Sequence, residues 1–201
     1  LTIDGDSCLG LFGCLESGAE VWNLGVTGAN ITAGGASAGA LVGSNFGAVT
    51  ACYSTGVVNG TENVGGLVGW NYSGSLFACC SASAVGGTKA VGGLAGKNGT
   101  QYRKDRPSGS VTQSFSAGIV RGTGWGAGGL IGASDGAVAQ CYSTAAVSGG
   151  IVVGGLVGCN YKSVTQCYSV GAVTGNENVG GLTGMLGKAE GCLWDAQTSG
   201  Q

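Results

Sequence analysis

One feature limits what this chain can fold into: a short glycine–leucine core that returns seven times. It reads Gly10-Leu11-Phe12-Gly13, Ala40-Leu41-Val42-Gly43, Gly66-Leu67-Val68-Gly69, Gly93-Leu94-Ala95-Gly96, Gly129-Leu130-Ile131-Gly132, Gly155-Leu156-Val157-Gly158 and Gly181-Leu182-Thr183-Gly184. The leucines are 30, 26, 27, 36, 26 and 26 residues apart. A fixed period of this length marks a unit that cannot bury its apolar face alone and must stack on its neighbours. The 36-residue step contains an insert around Gly99 to Ser108, with the only proline, Pro107. The expected organisation is a single repeat domain over 1–201, with a loop insert at 97–110.

Two further motifs fill each period. One is Cys52-Tyr53-Ser54-Thr55-Gly56, which returns as Cys79-Cys80-Ser81, Ser114-Phe115-Ser116, Cys141-Tyr142-Ser143 and Cys167-Tyr168-Ser169. The other is an alternating run ending in a turn, such as Val57-Val58-Asn59-Gly60 and Ala146-Val147-Ser148-Gly149. Each unit therefore reads as three short β runs between Gly or Asn turns. No run has helical periodicity, and glycine destabilises helix interiors. The pattern predicts an all-β, right-handed parallel β-helix (β-solenoid) of about seven coils with three short strands per coil. Coils about 4.8 Å apart would pair through their backbones and stack equivalent side chains. Leu41, Leu67, Leu94, Leu130, Leu156 and Leu182 should form an internal ladder, each worth roughly 1.5–3 kcal/mol when buried. Asn45, Asn71, Asn98 and Asn160, with Ser134 between the last two, should form a second ladder at one corner, amide bonding to amide.

The Gly-Gly-Leu-Val-Gly core and the Cys-Tyr-Ser-Thr-Gly strand resemble the GLUG repeats of large bacterial and archaeal surface proteins. Gly10–Gly13 with Val21-Trp22-Asn23-Leu24-Gly25-Val26 is similar to the usual first unit of such arrays, and Cys192–Gly200 to their last. The resemblance implies an extracellular or cell-surface scaffold, found in adhesin-like proteins and beside peptidase domains. The chain departs from the pattern in the charged insert after Lys97 and in Ser114-Phe115, where Cys-Tyr is expected.

Composition removes several function classes. Histidine is absent, and with it the commonest general base and metal ligand. Only 9% of residues are charged and the net charge is −2, which does not suit nucleic acid. Glycine and polar residues interrupt every apolar run, so no membrane span is expected. The start at Leu1 without methionine reads as a mature or excised segment. No cofactor is expected.

Nine cysteines are present, and Cys52, Cys79, Cys141, Cys167 and Cys192 share one repeat position. That row reads as a buried stack of small apolar groups or as disulfides between neighbouring coils. Cys8, Cys14, Cys80 and Cys159 lie off the row and are the better crosslink candidates, with Cys192 able to reach Cys8 or Cys14 of another copy. At least one disulfide is expected among these residues if the chain is extracellular.

Catalysis is not expected. Glu62 and Glu177 occupy equivalent corners four coils apart, about 19 Å at strand spacing, too far for glycoside hydrolysis. The insert gathers Lys97, Tyr102, Arg103, Lys104 and Arg106, either as a solvated loop or as a contact for an acidic glycan or another subunit. Trp70, Tyr72, Trp125 and Tyr161 could stack on sugars or pack on the next coil.

The leading functional expectation is a non-catalytic structural subunit. It would join head to tail with copies of itself in a fibre or surface layer, because solenoids need polar caps and no capping helix is visible. The alternative is an adhesive, ligand-binding or spacer module among neighbouring domains of a surface protein, with glycans as candidate partners. A polysaccharide-active enzyme is a remote third.

Overall fold

The computed structural model describes residues 1–100 and 108–201. The chain winds as a parallel β-solenoid with three faces. One face is a seven-stranded sheet built from the Gly-Leu repeats, including Val42–Asn45, Val68–Asn71, Ala95–Asn98, Ile131–Ser134 and Val157–Asn160. A second, short face is also seven-stranded and includes Ala48–Thr50, Ser75–Phe77, Ser110–Thr112 and Ala137–Ala139. The third is a longer sheet that includes Tyr53–Asn59, Cys80–Gly92, Phe115–Gly128 and Ala146–Gly154.

The register keeps like residues together. Val68 pairs with Val42 on one side and Ala95 on the other, and the row continues through Ile131, Val157 and Thr183. At the corner before this face, the amide of each ladder leucine donates to the next coil's leucine carbonyl. These bonds measure 3.0 Å for Leu41 to Leu67, 2.9 Å for Leu67 to Leu94 and 2.8 Å for Leu130 to Leu156. Leu41, Leu67, Leu94, Leu130 and Leu156 are fully buried, whereas Leu182 is half-buried and Leu11, at the same repeat position, is exposed.

The asparagine corner is a continuous amide chain. Asn45 Nδ2 donates to Asn71 Oδ1 (2.8 Å), Asn71 Nδ2 to Asn98 Oδ1 (2.8 Å), and Asn98 Nδ2 to Ser134 Oγ (3.2 Å). Asn160 bonds its own turn and the carbonyl of Lys188. Asn71 and Asn98 are wholly buried, so the Asn-X-Ser/Thr triplets Asn71-Tyr72-Ser73 and Asn98-Gly99-Thr100 are closed to glycosylation in the folded chain.

The cysteine row packs as a stack. Cys52, Cys79, Cys141 and Cys167 are buried, and Ser114 takes the position in the coil that lacks a cysteine. Each thiol donates to the carbonyl two residues upstream, as in Cys141 to Ala139 (3.1 Å) and Cys167 to Thr165 (3.1 Å). The intervening residues Ala51, Ala78, Gln140 and Gln166 have φ of 51–55°, the left-handed turn that brings thiol and carbonyl together. Burial pushes the Cys79 thiol up to about 11, so it is an inert apolar group.

Three expectations are corrected. All nine cysteines are free within the chain, so no intrachain disulfide joins Cys8, Cys14, Cys80, Cys159 or Cys192; the bridge expected between Cys192 and Cys8 or Cys14 of another copy is a separate matter. Register accounts for two of these cysteines: Cys80 lies between Tyr53 and Phe115 and Cys159 between Ala133 and Met185, neither facing a sulfur it can bridge, whereas Cys8 and Cys14 both lie against Ser44. The insert is narrower than 97–110, because Lys97 and Asn98 end one paired strand and Ser110 begins the next. A short helix, Ala196–Ser199, does exist, capped by Asp195, whose carboxylate accepts from the amide of Gln197. Its Ser199 is buried beside Gly181.

Two measurements check this architecture. A Cβ on Gly132 would lie 2.3 Å from the Val91 nitrogen, whereas one on Gly34 meets nothing closer than 3.6 Å. Gly132→Ala should therefore cost more than about 2 kcal/mol of stability and Gly34→Ala within about 0.5 kcal/mol of none, read by denaturant unfolding. Alkylation under denaturing, non-reducing conditions should modify all nine cysteines, and mass spectrometry counts them.

Candidate binding cleft

Two outward rows meet along one edge of the solenoid. The glycine-rich face presents Ser44, Trp70, Lys97, Ala133 and Cys159 in register. The end of the long face presents Glu62, Lys89, Trp125, Ile151 and Glu177. Between the rows the backbone turns left-handed at Asn63 (φ 49°), Ala90 (φ 52°) and Val152 (φ 60°). That region is unusual for any residue with a Cβ and more so for a β-branched one. Repeated in every coil, the turn brings the two rows together as the walls of a groove.

The floor is apolar. Ala90, Ala133, Val152 and Cys159 form a small buried cluster outside the main core, with the Trp125 ring packed on it. Around it lies a cleft of about 310 Å³, whose lining includes Trp70, Trp125, Tyr161, Lys97, Asp135 and Glu62. That volume reaches the lower end of the range for small-ligand pockets. A larger hollow, lined by Leu182, Leu186, Ala189 and Trp194, is the apolar interior of the last coil.

The polar groups of the cleft are paired. Lys97 Nζ sits 3.6 Å from Asp135 Oδ2 and 5.3 Å from the centre of the Trp70 ring, so one cation serves a carboxylate and an aromatic face. Trp70 Nε1 donates to the Gly99 carbonyl (3.0 Å), and its ring lies against Tyr72, which stacks on Phe46. Lys89 Nζ bonds Glu62 at 2.7 Å in a solvent-exposed pair. Asp135 is buried; desolvation raises its pKa above the ordinary carboxylate value, and the Lys97 charge pulls it part of the way back.

The anticipated residues thus divide. Trp70, Trp125 and Tyr161 converge on the cleft, and Trp70 and Trp125 also pack on the solenoid. Lys97 belongs to the cleft wall rather than to the insert. Tyr102, Arg103, Lys104 and Arg106 lie outside the described residues. Glu62 and Glu177 occupy one row, four coil steps apart. Asp135 was not anticipated, yet the repeat carries a signal for it. The residue after the corner ladder is Phe46, Tyr72 and Tyr161 in other coils, and an aspartate in this one.

The fold and this lateral cleft define a parallel β-solenoid with a polar–aromatic site on its side. A crystal structure of a "putative immunoglobulin A1 protease" from Bacteroides ovatus is similar to it, with a TM-score of 0.66 and 16% identity over 96% of this chain and 74% of that one. At that identity the likeness shows the β-solenoid fold alone. No family model and no curated protein matches the chain.

The Asp135 environment has a pH signature. Its folded-state pKa lies above the ordinary 3.8, so the native chain holds that proton more tightly than the unfolded chain does. The stability so contributed is full below about pH 3.8 and is lost as pH rises through the folded-state value. The stability of the parent chain relative to Asp135→Asn should therefore fall between pH 3 and pH 6 in paired denaturant titrations. Lys97→Met should raise the Asp135 pKa further, read by carboxyl NMR.

Proposed function

We propose that this chain is an extracellular, non-catalytic β-solenoid module of a cell-surface protein, of the GLUG-repeat type, which holds a lateral ligand-binding cleft on a rigid axis. The observation that carries this reading is the cleft itself. Two tryptophans, a tyrosine and the largely buried Lys97–Asp135 ion pair converge at one place on the side of the solenoid. Such convergence of rings and oriented polar groups is what ligand sites are made of. The non-catalytic part rests on the carboxylates: Glu62 and Asp135 are each held by a lysine. Treating intact producing cells with a protease should release peptides of this chain before cytosolic markers appear. Peptides released only after lysis would overturn the surface assignment.

A second reading, end-to-end association of copies, is supported by the terminal coils. Inward positions lie open at both ends: Leu11, at the ladder-leucine position, is 43% exposed at one, and Trp194, in register with the buried Ser169, is 53% exposed at the other. A contact between unlike ends leaves one of each free, so growth would continue as a filament. On this reading, light scattering shows a mass that rises with concentration, and Leu11→Ser with Trp194→Ser abolishes the rise. A constant monomer mass leaves the single-module reading alone.

A further inference from the structure

We infer that the cleft between Trp70, Trp125 and Tyr161 takes a neutral pyranose oligosaccharide lying along the solenoid axis. This names the ligand class for the binding module proposed above and rests on that reading.

Charge is the first argument. The cleft is lined by two lysines, Lys89 and Lys97, and two carboxylates, Glu62 and Asp135, and each lysine is paired with one carboxylate. These formal charges cancel, Lys162 acts on Asp135 from outside the lining, and an ionic ligand would have to break a pair to bind. A hydroxyl both donates and accepts, so it can bond an ammonium and a carboxylate without separating them. Bonds to such charged partners are the stronger kind.

Aromatic surface is the second. Tyr161 is 47% exposed at the mouth, Trp125 lies along the floor, and Trp70 forms part of the wall. One face of a pyranose ring is rich in weakly positive C–H groups, which complement the negative face of an aromatic ring. A purely apolar ligand would leave the paired charges without hydrogen-bonding partners as it displaced water, at a cost.

Backbone is the third. An extended peptide gains affinity by pairing with an open strand edge. The strands that wall the cleft are already paired on both sides: Val68–Asn71 with its two neighbours, and Ala95–Asn98 likewise. The cleft therefore offers no edge for strand addition. Its length follows the direction in which the two rows run, which suits a chain of sugar rings.

Isothermal titration of the whole chain with three neutral probes tests this: hexamers of β-1,4-glucose, α-1,4-glucose and β-1,4-N-acetylglucosamine. A galacturonate hexamer is the acidic comparator. At least one neutral hexamer should bind, the acidic one should not displace it, and Trp125→Ala should weaken binding by about tenfold or more. Because Trp125 also covers the small apolar cluster, Tyr161→Ala is the companion variant. It should weaken binding while leaving the thermal unfolding midpoint within a few degrees of the parent. Binding of none of the neutral hexamers, binding of the acidic one alone, or neutral binding that survives both substitutions overturns the inference. None of these outcomes alters the protease-release result, so the ligand class and the surface reading fail separately.

Discussion

The structure depends on how close two stretches of backbone can come inside each coil. The first glycine of the Gly-Leu motif crosses the row of serines from the Cys-Tyr-Ser motif. A Cβ on Gly66 would lie 2.1 Å from Ser81 Oγ, one on Gly129 2.2 Å from Ser143 Oγ, and one on Gly155 2.3 Å from Ser169 Oγ. Those serines are fully or almost fully buried. The interior is thin enough that the two motifs must be small together: hydrogen, or at Ala40 a methyl, on one side, and hydroxymethyl on the other. Where the contact is kept, leucine and valine fill what remains, and each coil can lie flat on the next. The glycines are thus a steric requirement of a narrow cross-section, even though each has more conformational freedom to lose on folding.

This constraint explains why the fold was legible. A period kept by leucine, glycine, cysteine and asparagine at once leaves a stack of equivalent turns as the consistent solution. The amide chain Asn45–Asn71–Asn98–Ser134 and the thiol-to-carbonyl turns of the cysteine row follow from that stacking. What was misjudged depended on register between unlike residues. Cys80 and Cys159 counted as crosslink candidates because they lay off the row, but a bridge also needs a second sulfur at the matching position of the next coil. Phe115 and Tyr142 lie on one face with ring centres 4.8 Å apart, and Tyr142 and Tyr168 continue that stack at 4.9 Å. The departure at Ser114-Phe115 therefore changes the thiol row while leaving the aromatic row intact.

The cleft was harder to see because its walls come from two different motifs. Trp70 and Lys97 stand one coil apart in the Gly-Leu strand. Glu62, Lys89 and Trp125 stand in the run before it. Neither row is informative alone, and the link between them is the left-handed turn at Asn63, Ala90 and Val152. Alanine and valine at such positions carry a cost of order 1–3 kcal/mol, which propensity rules do not anticipate. Neighbouring coils over-determine the turn: the last glycine of the motif has no room for a side chain against it, as at Gly96 beside Asn63 and Gly132 beside Ala90.

A solenoid of this kind separates folding from recognition in a way few folds can. Inward positions are constrained by the contact between glycine and serine and by the leucine ladder, so they repeat. Outward positions in the same strands are constrained by little except the pairing of the coils. In the two rows that form the groove, other coils carry Ser44, Met185 and Ile151 where the cleft carries Trp70, Lys97 and Trp125. A site can thus be written onto the scaffold one residue per coil, with the strand spacing as its ruler. It can also be shifted along the axis by substitutions that leave the core untouched. The rigidity that keeps the rows in register is the same rigidity that holds the cleft's rings and paired charges in place before a ligand arrives, so little ordering cost falls on binding.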